Sequence, residues 1–188
     1  IKFFPAFIRN KFIKVNNTDS ISDEEHYILS KQTIKDLLIF EPEVGLLDYV
    51  NETITNFGKK RLEWLLSHPY LNVQQILARQ EIVCFLINNP KVLMRMRRVL
   101  AVVGVSCVSL LKAIIILRIY LRLFPKENLY YKSSVSIIND FLKRPWDKAL
   151  LEQVIGFIGE LDVFCSLAQF SLRNIDGLTL PRILEQDE

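Results

Sequence analysis

The chain has 188 residues, enough for one large domain or two small ones with a sizeable core, and one domain is the simpler reading. At 50% hydrophobic and 24% charged it lies far from disordered composition, and six glycines and seven prolines leave few places for the tight turns of an all-β fold. A net charge of +3 and a pI near 8.7 permit contact with nucleic acid or an acidic partner without demanding it, and ordinary solvated charge accounts for both.

Residues 1–29 read as a linker or the end of a preceding region. A basic, Phe-rich segment, IKFFPAFIRNKFIKV, lacks the h-region and small-residue cleavage site of a signal peptide, and it leads into the polar run NNTDSISDEE. With no initiator methionine at Ile1, the chain reads as a piece of a longer polypeptide. A second unit, 30–188, begins where Ser30 can cap a helix running to about Phe40 with Ile34, Leu37 and Leu38 facing inward. EPEVG breaks it, and Leu46, Leu47, Tyr49 and Val50 read as a short strand or turn.

Residues 51–86 read as an αα-hairpin. Thr55 or Asn56 caps a first helix that buries Phe57, Leu62, Leu65 and Leu66, and Pro69 stops it. Asn72 caps a second, with Val73, Ile76, Leu77, Val83, Leu86 and Ile87 at helical spacing and Gln74, Gln75, Arg79, Gln80 and Glu81 on the other side. Asn89-Pro90 starts a further helix with Val92, Leu93, Met96, Val99 and Leu100 as its apolar face.

The run 99–124 approaches the length of a membrane span, and mean hydropathy is +0.20. Lys112, Arg118 and Arg122 interrupt it, and Gly104 and Ser106 point to a break between two helices, so a buried bundle helix is the better reading. After Pro125 comes a helix near Tyr130 to Leu142. The last helix starts around Pro145-Trp146, runs toward Leu172, and is apolar on more than one face, which makes it central. No solenoid period or low-complexity segment occurs, so the expected fold is all-α: a non-repeating bundle of long antiparallel helices.

Chemistry is sparse. Neither a G-x-x-x-x-G-K-[ST] loop nor a G-x-G-x-x-G turn is present, and Gly58-Lys59-Lys60 is only a fragment of the first. His26 and His68 lie in unrelated contexts without metal-ligand spacing, and His68 suits a turn in which a ring nitrogen bonds a helix-end carbonyl. Cys84, Cys107 and Cys165 sit singly among apolar neighbours, as core residues of a reducing compartment. Asp23-Glu24-Glu25 and Asp187-Glu188 are solvated. Asp162, inside an apolar helix, needs an arginine or a helix N-terminus and reads as a helix-to-helix tie. Basic clusters at Lys91, Arg95, Arg97, Arg98 and at Lys59, Lys60, Arg61 could meet phosphates, but without aromatics they form no stacking platform. No residue receives a catalytic, cofactor-binding or metal-binding role.

Three segments resemble the core, or lever, domain of the MutS family of DNA mismatch-repair proteins. Thr55-x-Phe57-Gly58-Lys59-Lys60 with Leu62 and Pro69 is similar to the family's T-P-x-G-x-R-L-L-x-x-W-L-x-x-P-L element. Ile76-x-x-Arg79-Gln80-Glu81-x-Val83-x-x-Leu86 is similar to its I-x-x-R-Q-D-A-V-x-x-L helix, and Glu160-Leu161-Asp162-Val163-Phe164-Cys165-Ser166-Leu167-Ala168 to its L-D-V-L-A-S-L-A helix. QTIKDLLIF resembles the strand-like lead into that core. Asn56 stands for the usual proline, Trp64 lies one position early, and Leu180-Pro181 stands where R-P is common.

The resemblance implies a helical lever carrying ATP-dependent movement between an ATPase and a DNA clamp, in a eukaryotic-type, nuclear parent protein nearest to the mismatch-recognising subunit. The clamp insertion is reduced or missing, residues 125–145 standing in its place, and neither the Phe-x-Glu mismatch reader nor Walker motifs occur. ATP and magnesium are then expected only in an ATPase domain beyond this segment. Implied partners are duplex DNA and another MutS-homologue subunit as heterodimer, with a membrane role unlikely on this reading. The parent would be a DNA-dependent ATPase and this segment no enzyme. The alternative is a non-enzymatic helical scaffold or membrane-associated protein anchored by 99–124.

Overall fold

A computed structural model describes residues 26–103, 107–144 and 147–174. Among these residues there are eight α-helices and no strand: α1 Lys31–Asp36, α2 Leu46–Val50, α3 Asn56–Ser67, α4 Val73–Asn88, α5 Pro90–Ala101, α6 Cys107–Leu121, α7 Leu129–Lys143 and α8 Lys148–Arg173. The all-α expectation holds.

Local chemistry sets most of the starts. Ser30 Oγ accepts from Thr33 N at 3.0 Å, Thr55 Oγ1 from Gly58 N at 2.9 Å and Asn72 Oδ1 from Gln75 N at 3.2 Å, each satisfying an amide that the helix cannot. Thr55, not Asn56, is thus the cap of α3. Pro90 occupies the first turn of α5, where its missing N–H costs nothing. Asp147 caps α8 through Ala149 N and Leu150 N, while Pro145 and Trp146 lie outside the described residues.

The first elements differ from expectation. α1 stops at Asp36, and Leu37 and Leu38 are exposed rather than inward. Leu38 takes φ 49°, a left-handed turn that redirects the backbone, so the buried side chain is Ile39. Leu46–Val50 is a short helix, not a strand or turn. Amides at its start bond back to the preceding turn, Leu46 N to Leu38 O and Leu47 N to Ile39 O, and Leu47 is buried against Leu62 and Val163. Leu77, expected on the apolar face of α4, is exposed as well.

α8 is the centre. Every residue from Phe157 to Ser166 is buried, so the helix is enclosed on all sides by α3, α4, α5 and α7. Ile82, Leu86, Leu93, Met96, Leu117, Ile138, Ile158 and Phe164 belong to one continuous core. The region around Leu62 to Leu86 therefore packs on Leu161 to Phe170. The run 99–124 is divided between the end of α5 and the 15-residue α6, its Gly104 and Ser106 falling outside the described residues. None of the described helices is long and apolar enough to cross a membrane.

Candidate functional site: a buried charged joint

The hairpin α3–α4 is fastened to α8 by two carboxylates, Glu160 and Asp162, that sit two residues apart in an apolar helix. Burial would favour the protonated form of Glu160, yet Arg61 of α3 and Arg79 of α4 both reach it, and their charges and hydrogen bonds hold its carboxyl below the usual range. Arg61 Nε donates to Glu160 Oε2, and Arg79 Nε donates to Oε1 at 2.8 Å. Tyr70, in the turn between the two helices, accepts from Arg61 Nη2 at 2.9 Å and from Arg79 Nη2. Burial and the adjacent Glu160 charge push the Tyr70 hydroxyl up to about 12, so it stays neutral. One carboxylate, two guanidinium groups and a phenol thus join three elements.

Aromatic rings close the outside of this network. The Arg61 guanidinium lies 4.3 Å from the Trp64 ring centroid and that of Arg79 3.7 Å from Tyr70. His26 wedges between them, 4.4 Å from Trp64 and 4.1 Å from Tyr70, centroid to centroid. Its Nδ1 donates to His68 O at 2.8 Å, and Tyr27 N and Leu29 N bond to Pro69 O and Ser67 O. Burial, with Arg61 and Arg79 nearby, lowers the His26 pKa despite the bond to His68. The two histidines are therefore not in unrelated contexts. His68 does bond the end of its own helix, Nδ1 to Trp64 O at 3.0 Å.

Asp162 meets the N-terminus of α3, the second kind of partner expected for it. Its carboxylate accepts from Ile54 N at 3.0 Å, from Thr55 N at 2.7 Å and from Thr55 Oγ1 at 2.7 Å. Burial raises its pKa, and these bonds oppose the rise. Two glycines allow the helices to approach so closely. A Cβ on Gly58 would stand 2.6 Å from Asp162 Cγ, and one on Gly159 2.9 Å from Phe57 O. Four residues further along α8, Ser166 Oγ accepts from Glu52 N at 2.7 Å.

The basic clusters do not survive as read. Lys59 and Lys60 are exposed, but Arg61 turns inward to Glu160. Lys91, Arg95 and Arg98 face solvent, whereas Arg97 is half-buried and donates to Glu52 O at 2.9 Å. Arg79, assigned to the outer side of α4, is half-buried in the joint. Sequence reasoning gave neither Glu160 nor Tyr70 a role in a site. The available signal for Glu160 was its position inside IGFIGELDVF, beside the Asp162 that did stand out. Cys165 is buried, with its thiol raised by burial and by Asp162, and Cys84 is half-buried and free; the Cys107 side chain lies outside the described set. Among the described residues no three His, Cys, Asp or Glu side chains gather as metal ligands. The joint can hold charge and geometry, but it presents no nucleophile with a base beside it.

Residues 32–115 match the family model of MutS domain III. Two curated relatives are similar over part of the chain. The DNA mismatch repair protein MutS of Christiangramia forsetii is 30% identical over 83 residues, 42% of this chain and 10% of that protein. The protein of the same name from Persephonella marina is 29% identical over 96 residues, 49% of this chain and 11% of that protein. No solved structure matches significantly. The matched stretch, which takes in most of the first helix, α2 to α5 and the Arg61 and Arg79 arms of the joint, is similar to a MutS-family domain.

Proposed function

We propose that this chain is the helical lever of a DNA mismatch-repair protein, passing ATP-dependent movement between an ATPase and the parts that clamp DNA. The match of residues 32–115 to MutS domain III carries the reading. The joint supports it physically. A lever must move as one body, and the Glu160–Arg61–Arg79 cluster together with the Asp162 cap ties the hairpin to α8 through directional bonds that resist sliding. The chain covers about a tenth of the length of the curated relatives it matches, so hydrolysis of ATP with magnesium and recognition of mismatched duplex belong, on this proposal, to other parts of the parent protein. By the resemblance of the stretch around Phe57-Gly58-Lys59, the parent would be a eukaryotic-type, nuclear subunit that pairs with a second MutS homologue.

Two measurements test the reading. The coding sequence beyond Glu188 should contain a G-x-x-x-x-G-K-[ST] loop within roughly a hundred residues. In the full-length protein, Glu160→Gln should leave basal ATP hydrolysis in place and remove most of its stimulation by mismatched duplex. Undiminished stimulation in a folded variant would count against a lever passing through this joint.

A further inference from the structure

Between Glu81 and Glu127 the sequence holds eight Lys and Arg residues and no Asp or Glu, although the whole chain is only +3. This one-sided charge borders an apolar surface. On α6, Ala113, Ile114, Leu117 and Leu121 are buried, while Ile115, Ile116 and Ile119 are 51%, 39% and 58% exposed. The three isoleucines fall within roughly 100° of the helix circumference, and Leu123, 51% exposed, continues their row in the turn that follows. Exposed Lys112 lies at the N-terminal end of the row, and Arg118 and exposed Arg122 line one edge. The row from Lys112 to Leu123 is about 16 Å long at 1.5 Å per residue, some three helical turns.

We propose that this face of α6 is a docking surface for an amphipathic helix of a partner protein, with an apolar row flanked by Asp and Glu. Charge complementarity selects that occupant. A second copy would set Lys112, Arg118 and Arg122 against the same cations, which repel. A lipid surface would be met by aromatic anchors, and the exposed row has none, Tyr120 being half-buried at its margin. Nucleic acid would use the cations but leave three isoleucines wet, since base stacking requires aromatic faces. An acidic amphipathic helix satisfies both halves: aliphatic anchors at i, i+3, i+4 and i+7 cover the isoleucines while its carboxylates meet the arginine edge.

The test uses the chain itself with two synthetic helices of about 18 residues, each with leucines at that spacing. One is flanked by Glu and the other, its twin, by Lys, and binding is read by fluorescence anisotropy. The Glu peptide should bind saturably, and Ile119→Asp should weaken it about tenfold or more, as removal of a central anchor does. Arg122→Glu should weaken it too and should admit the Lys twin. Both positions are exposed, and circular dichroism checks that each variant keeps its helices. Equal binding of the two peptides by the unaltered chain, no binding of the Glu peptide, or binding indifferent to Ile119→Asp overturns the proposal. So does a dimer in sedimentation, or retention on phosphatidylserine vesicles, that Ile119→Asp abolishes while the Glu peptide is ignored.

Discussion

At the scale of single residues, the position most sensitive to change is Gly58, which has no chemistry of its own. Its missing side chain is the space that Asp162 occupies, and Asp162 in turn caps the amides of Ile54 and Thr55. A methyl there must displace the carboxylate, which leaves a buried charge short of donors and the start of α3 short of acceptors. Gly58→Ala should therefore cost about 3 kcal/mol, although alanine is the better helix former by roughly 1 kcal/mol at an exposed site. Urea unfolding followed by circular dichroism measures it. A neutral or stabilising outcome would show that α3 and α8 can separate at no cost, and the tie between them would lose its meaning.

At the scale of elements, the segment His26–Leu29 is held to the turn between α3 and α4 by three hydrogen bonds and by the rings around His26. Buried beside Arg61 and Arg79, His26 is neutral in the fold and takes up a proton more readily when the chain unfolds. Stability should then be full above about pH 6.5 and fall as the pH drops through that value toward the lower folded pKa. Glu160 acts with the same sign only further into acid, and Asp162, raised by burial, acts with the opposite one. Comparing the midpoint of thermal unfolding at pH 8 and pH 5.5 between the chain and His26→Phe isolates the histidine. The phenyl ring keeps the packing and titrates nothing, so its midpoint should change less; equal changes would remove His26 as the cause. Which elements could be read in advance follows from the range of the forces involved. The caps at Ser30, Thr55 and Asn72 and the proline of α5 act within three residues, and they were legible. Ile39 displacing Leu37 and Leu38 depends on a left-handed turn at a leucine, which no local signal announces. Asp162 was legible as a buried carboxylate in need of a partner. Arg79 was not, because only the tertiary approach of α8 makes the polar side of α4 an inner face.

At the scale of the whole molecule, the joint divides the bundle into parts held in different ways. α3, α4 and α8 share the buried Glu160 cluster, and α3 and α8 also share the Asp162 cap, whereas α6 packs mainly on α5 and α7 through aliphatic contacts and leaves one face to solvent. Directional bonds in a buried site are lost together, so α3, α4 and α8 should open as one unit, at a higher free energy than α6. Glu160→Gln tests this, because the amide offers one acceptor oxygen in place of two and turns an N–H toward the guanidinium groups. The buried Arg61 and the half-buried Arg79 then lose their counter-charge, an imbalance worth about 3 kcal/mol. Native-state hydrogen exchange should show protection falling by similar amounts across Asn56–Ser67, Val73–Asn88 and the middle of Lys148–Arg173, with Cys107–Leu121 little changed in its own local opening. If the loss were confined to the few residues around Glu160, the three helices would be separate bodies in chance contact. Movement applied at one end of α8 would then die out before reaching the hairpin, and the proposed lever would have no rigid arm.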